Sequence, residues 1–240
     1  MIVEVCANSV ESALIAEKAG ADRLELCSEL GIGGITPSYG VLSRIREMVT
    51  IPVHILIRPR SGHFSYSDAE FSVMLADIDR CVEMGFEGIV SGVLHPEFIL
   101  DKDRTMALVE RAAGRQFTFH RAFDWVADPI QTLSELEAIG VDNILSSGQG
   151  NTALEGMGIL KELNYKAVNC KIIPAAGIRS EIALELRALG FTAIHLSGIN
   201  MYQNLDSGSK VSMMTPGLLS EDAIALTDNE IIEDVIKTVK

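Results

Sequence analysis

The chain has no cysteine pair at C-x-x-C spacing, no basic run and no apolar run long enough to span a bilayer. Each absence removes a class of function. Without the paired cysteines there is no zinc-finger framework. Without a basic patch, and with a formal net charge of -13, the surface opposes nucleic acid and anionic membranes. No secretory apolar segment precedes the first strand, which begins almost at once. The expected compartment is therefore the cytoplasm, where Cys6, Cys27, Cys81 and Cys170 are thiols rather than disulfides. G-x-S-x-G, P-loop and H-E-x-x-H sequences are also missing, which excludes three large enzyme classes. No break in composition divides the 240 residues, of which 48% are apolar, so a single domain over residues 1–240 is expected.

What is present is a strand–helix alternation carried to the end of the chain. Strands are predicted near 2–6, 22–27, 53–58, 87–92, 116–120, 142–146, 171–176 and 193–197. Helices are predicted near 9–19, 38–49, 68–84, 102–113, 128–139, 152–163, 180–189 and 228–239. Ser67–Glu70, Thr152–Glu155 and Thr227–Glu230 fit capping boxes, and Thr36-Pro37 and Asp128-Pro129 fit a cap followed by proline in the first turn. One signature recurs. Gly20-Ala-Asp, Gly85-Phe-Glu, Gly140-Val-Asp and Gly190-Phe-Thr each stop a helix just before an even-numbered strand. Eight βα units with this period of two predict a (β/α)8 TIM barrel, with an open doubly wound sheet as the alternative. Residues 200–220 are too long for an ordinary link and are expected to be irregular, with Asp206-Ser-Gly-Ser209 mobile. The last helix places Ile231, Ile232, Val235, Ile236 and Val239 at helical spacing, so it should pack on the barrel.

Side chains alternate along a strand, so Glu4 and Cys6 share one face, as do Glu25 and Cys27. If the two strands are parallel neighbours about 5 Å apart, both end in a thiol on one side of the sheet. The strand ends, where barrels of this class work, read Cys6, Cys27, Arg58-Pro-Arg60, Ser91, His120-Arg121, Ser146-Ser147, Gly177-Ile-Arg179 and Ser197-Gly198. Glu4, Glu25, His54, Thr118 and His195 lie deeper on the same alternation. A lumen this polar must satisfy itself or bind something. Self-satisfaction would set Glu4 and Glu25 against Arg58 and His54.

Three chemistries compete for these residues. The thiols Cys6 and Cys27 suit a soft ion, Cu(I) above all, although buried cysteine is also a common small hydrophobe. The cations Arg58, Arg60, Arg121 and Arg179, with His120, suit a small anion held across the mouth, assisted by backbone amides after strands seven and eight. Glu25 and His120 could carry proton transfers in an enzyme acting on a small anionic or phosphorylated metabolite. No lysine sits at a predicted strand end, which opposes a Schiff-base aldolase. A ligandless or partner-binding protein is a third class, and assembly of identical copies stays open.

The stretches Glu4-Val-Cys6, Gly20-Ala-Asp-Arg-Leu-Glu-Leu-Cys27, Gly33-Gly-Ile-Thr-Pro-Ser38, Ile51-Pro-Val-His54, Ile57-Arg-Pro-Arg60, Phe64-Ser-Tyr66, Thr118-Phe-His-Arg-Ala-Phe-Asp124 and Leu145-Ser-Ser-Gly148 together resemble the CutC copper-homeostasis family. The likeness runs over about residues 1–200, with a looser echo at Val211-Ser-Met213. It implies a cytoplasmic (β/α)8 barrel associated with copper tolerance, with Cys6 and Cys27 as the candidate Cu(I) ligands.

Overall fold

The computed structural model describes residues 1–203, 211 and 223–240. Eight parallel strands form a TIM-type barrel: β1 (Ile2–Ala7), β2 (Arg23–Leu26), β3 (Val53–Leu56), β4 (Gly88–Ser91), β5 (Gln116–Phe119), β6 (Asn143–Ser146), β7 (Lys171–Pro174) and β8 (Ala193–Leu196). They pair in the order β7-β6-β5-β4-β3-β2-β1-β8. β7 and β8 stand side by side without a hydrogen-bonded ladder, so packing closes the ring there. Outside run α1 (Val10–Lys18), α2 (Tyr39–Met48), α3 (Asp68–Glu83), α4 (Lys102–Arg111), α5 (Pro129–Ile139), α6 (Met157–Lys166), α7 (Ser180–Ala188) and α8 (Asn229–Val239).

The recurring glycine signature has a structural reason. Gly20, Gly85, Gly140 and Gly190 all take left-handed conformations, with φ between 78° and 93°. The acid two residues later then turns under the barrel. Asp22 accepts the Val3 amide, Glu87 the Val53 amide and Asp142 the Phe117 amide. In the fourth copy Thr192 offers its backbone carbonyl to Ile2 instead. Each even-numbered unit thus holds an amide at the start of a neighbouring odd-numbered strand, where no ladder partner is available.

Several caps differ from expectation. Ser67 forms the capping box with Glu70, and Asp128 caps α5 with Pro129 behind it, as predicted. α2 is capped by Ser38 rather than Thr36, whose hydroxyl instead accepts the Arg58 amide. α6 begins at Met157, later than predicted: Thr152 accepts from Glu155, but the Glu155 carboxylate turns to Asn151, leaving a turn rather than helix. Thr227 is a strand residue, and Asp228 caps α8 through the Glu230 and Ile231 amides. The beginning of the stretch expected to be irregular is strand β9 (Ile199–Gln203), antiparallel to β10 (Ala223–Thr227). This hairpin is tied to α1 by Asn8, which donates to the Ala225 carbonyl, and by Ser12, which accepts the Thr227 amide. Asp206-Ser-Gly-Ser209 lies outside the described residues. Ile232, Val235 and Val239 of α8 are buried, as their spacing requires.

The core has two layers. An outer shell of side chains such as Val3, Leu24, Ile55, Phe117 and Phe119 fills the space between sheet and helices. Inside the ring, Cys6, Cys27, Leu56 and Val90 form one apolar cluster, and Leu145, Ile173, Ala175 and Ala193 another. The space between is polar. His54 reaches it only because Gly88 on β4 has no side chain: a Cβ there would fall on the imidazole ring. Gly88→Ala should therefore cost about 1–3 kcal/mol by overpacking, read as a lower urea midpoint at unchanged m-value.

Candidate functional site

At the bottom of the lumen Glu4 is wholly buried, and a buried carboxylate is stable only if paired. The register places Glu4 of β1 between Arg23 of β2 and His195 of β8. Arg23 Nε donates to Glu4 Oε2 at 2.5 Å, and His195 Nδ1 lies 2.8 Å from Glu4 Oε1. Arg23 also donates to Gln116 across the ring, and Asn143 donates to Thr118. Burial alone would raise the Glu4 pKa, but the His195 hydrogen bond and the Arg23 charge hold it down at about 2. The partners of Glu4 are thus Arg23 and His195, not the Arg58 and His54 that strand position alone suggests. Arg23 carried the same signal as Glu25 and Cys27, since 23, 25 and 27 share one alternation. Its position at the start of the strand obscured it.

One level higher stand the thiols. Cys6 and Cys27 both face inward, with their sulfurs 3.7 Å apart, and Cys6 Sγ lies 3.8 Å from Glu25 Oε1. His195 completes a cluster in which donor atoms of Cys6, Glu25 and His195 all lie within 4.8 Å of one another. Its Nδ1 is 3.9 Å from Glu25 Oε2. The contact with Cys27, then burial, pushes the Cys6 thiol well up. Burial likewise lifts Glu25 to about 7, against the pull of His195. The His195 ring moves upward because the charges of Glu25 and Glu4 outweigh its burial. Cys27 is fully buried with Gly34 packed over its sulfur, whereas Cys6 and Glu25 line an open cavity. Cys81 and Cys170 are buried on the helix side of the barrel, away from this pair.

That cavity, of about 260 Å³, opens at the C-terminal ends of the strands. The predicted cations are divided around it. Arg58 lines it, yet its terminal nitrogens donate to the carbonyls of Ile32, Gly34 and Gly62, and its guanidinium lies over the Phe64 ring. Arg121 lines it and pairs with Asp124 at 2.7 Å, while donating to Ser147. Arg179 lines it as the residue just before α7 and forms no ion pair among the described residues. Arg60 does not line it: Arg60 pairs with Glu70 and donates to three loop carbonyls. His120 closes one wall. Its Nδ1 accepts the Ala122 amide, its Nε2 is buried without a partner, and burial beside Arg58 depresses its pKa to about 3. The ring is therefore neutral, with its proton on Nε2.

A parallel eight-stranded barrel with a polar cavity at its C-terminal mouth and a buried thiol–carboxylate–imidazole floor defines the class. Within it, residues 1–200 match the model of the CutC family. The chain is 44% identical over 197 residues to a CutC family protein of Edwardsiella ictaluri, covering 82% of this chain and 78% of that one. It is 43% identical over 195 residues to its counterpart in Proteus mirabilis, covering 81% and 78%. The solved structure of CutC from Streptococcus agalactiae, named for copper homeostasis, superposes with a TM-score of 0.77 at 30% identity, covering 82% of this chain and 98% of that one. The chain belongs to the CutC family.

The buried histidines set an acid limit. His54, held neutral mainly by burial, has its pKa lowered to about 4, and His120 follows the same logic. Below the unfolded value near 6.5, the unfolded chain binds protons that the folded chain refuses. Their contribution is thus intact at neutral pH and is lost as pH falls toward the folded values. Between pH 7 and 4.5 each should cost about 2 kcal/mol. Urea titrations of wild type and His54→Leu at the two pH values should show that loss shrinking by this amount in the variant.

Proposed function

We propose that the chain is a cytoplasmic copper-homeostasis protein that holds Cu(I) between Cys6 and Cys27. One observation carries the reading: two reduced thiols from neighbouring strands point at each other 3.7 Å apart inside the barrel. Thiolates are the ligands soft Cu(I) prefers, and a closed apolar surround of Leu56 and Val90 excludes harder, hydrated ions. Glu25 and His195 supply further donor atoms beside Cys6. The cavity gives the ion a route, since Cys6 lines its floor. Binding displaces the thiol protons, so affinity falls on acidification. In competition with a Cu(I) chelator, Cys6→Ser/Cys27→Ser should lose more than the roughly 10–100-fold that removal of an outer-sphere partner costs. Undiminished affinity would refute the reading.

A second reading rests on the cavity itself. An enzyme acting on a small anionic or phosphorylated metabolite would use Arg121 and Arg179 at the mouth to hold the anion, and Glu25 to transfer a proton. It is favoured by Arg179, a cation that lines the cavity and forms no ion pair among the described residues. Phosphate should raise the melting temperature of wild type, and less so that of Arg121→Met/Arg179→Met. Arg58→Met is expected to lower stability outright, because it frees three carbonyls that the guanidinium now ties together.

A further inference from the structure

Cys6 has a second set of neighbours besides Cys27. Donor atoms of Cys6, Glu25 and His195 lie within 4.8 Å of one another, and Cys27 is not in that cluster. The three residues come from β1, β2 and β8, which the ladders hold side by side, and all three line the cavity. Atoms so placed share a point about 2.8 Å or less from each, close to the roughly 2.0–2.3 Å of zinc bonds to oxygen, nitrogen and sulfur.

The atoms that would bind can be told apart. His195 Nδ1 meets Glu4 Oε1 at 2.8 Å, and Glu4 is also paired with Arg23. With the Nδ1 proton donated to that carboxylate, the free lone pair of the ring is on Nε2. Nε2 has no hydrogen-bond partner among the described residues, yet it is not one of the enclosed unpartnered atoms, so it keeps surface toward the cavity. Glu25 Oε2 is enclosed, whereas Oε1 is turned to Cys6 Sγ at 3.8 Å. A carboxylate that holds a histidine from behind is the usual outer partner of a metal-binding imidazole, and Glu4 stands in that place.

Charge and donor type choose the ion. Cys6 as thiolate and Glu25 as carboxylate carry two negative charges, which a divalent cation balances and a monovalent one does not. One sulfur, one nitrogen and one oxygen form a borderline set, suited to Zn(II) rather than to soft Cu(I) or to hard Mg(II) and Ca(II). Three protein ligands with a cavity on the fourth side is the arrangement of an open zinc site.

We propose that Cys6, Glu25 and His195 form a divalent-metal site that takes Zn(II), with its fourth position open to the cavity. The inference goes beyond the copper reading. Cys6 is common to this site and to the thiol pair, so one ion excludes the other. Binding releases the Cys6 proton to water.

The test uses the full chain with its thiols reduced and Co(II) as the probe, because Zn(II) is colourless. Co(II) should give the ligand-field bands of a four-coordinate ion with a thiolate charge-transfer band, and Zn(II) should displace it. Cys6→Ser should remove the charge-transfer band. Glu25→Gln should weaken Co(II) binding by more than about tenfold, since a lost ligand costs at least as much as a lost outer partner. Cys27→Ser should bind Co(II) as wild type does, while its Cu(I) affinity falls. A charge-transfer band that survives Cys6→Ser would overturn the inference. Loss of Co(II) binding in Cys27→Ser would overturn it too, and leave the thiol-pair reading standing. Undiminished Cu(I) affinity in a Cys27→Ser chain that still binds Co(II) would do the reverse. Where a variant does not fold, spectra of wild type with ¹⁵N-labelled histidine decide: Zn(II) should move the His195 Nε2 signal, and an unmoved signal overturns the site.

Discussion

A carboxylate with no exposure to water sits at the centre of this barrel, and the arrangement around it depends on how that charge is neutralised. Glu4 needs two partners, and takes one from each neighbouring strand. A shift of either ladder by one residue would turn Arg23 or His195 to the helix side and strand the carboxylate, a defect of several kcal/mol. The pairing therefore pins β1 between β2 and β8. The same register sets Cys6 opposite Glu25, two residues further up the alternation, with Cys27 the next inward residue beyond Glu25. The thiol pair and the floor of the cavity are consequences of satisfying Glu4.

Charge in the lumen is graded along the barrel axis. Ionised groups at the bottom compensate one another: Glu4 with Arg23 and His195. The middle level holds groups whose charge is suppressed, the Cys6 thiol by its contact with Cys27 and then by burial, and the Glu25 carboxyl mainly by burial. At the mouth, Arg58, Arg121 and Arg179 leave an excess of positive charge, while His120 stays neutral. Under the copper reading a cation would be accommodated at the middle level by loss of protons, and under the anion reading an anion would be held at the mouth by charge already present. The two readings of the site thus occupy different depths of one cavity and use different residues, apart from Glu25.

The scaffold reaches this placement through repeated local devices. Three acids after the helix-ending glycines each capture an amide at the barrel's lower edge. On the opposite side of the sheet, Asp124 gathers Ser146, Ser147 and Arg121 and fixes the wall beside His120. The family match ends at residue 200, and the hairpin of β9 and β10 and helix α8 follow it. Helix α8 buries Ile232, Val235 and Val239 against the barrel and packs on α1 and α7, and among the described residues the cavity lining comes from the first 200.

The sequence by itself determined the barrel, because eight βα periods and the glycine–acid signature are local patterns that need no knowledge of neighbours. It also placed Cys6 with Cys27, since alternation along two adjacent strands fixes which side chains share a face. What alternation cannot supply is the partner across the ring, which depends on register and on the strand that closes the barrel. So the pairing of Glu4 with Arg23 and His195 was decided by tertiary structure. Arg58, conspicuous in the sequence as a cation, was turned by the loops after β2 and β3 into a tie between backbone carbonyls. The neutrality of His120 was decided the same way: burial and the neighbouring Arg58 set its charge, and neither is a property of residue 120 alone.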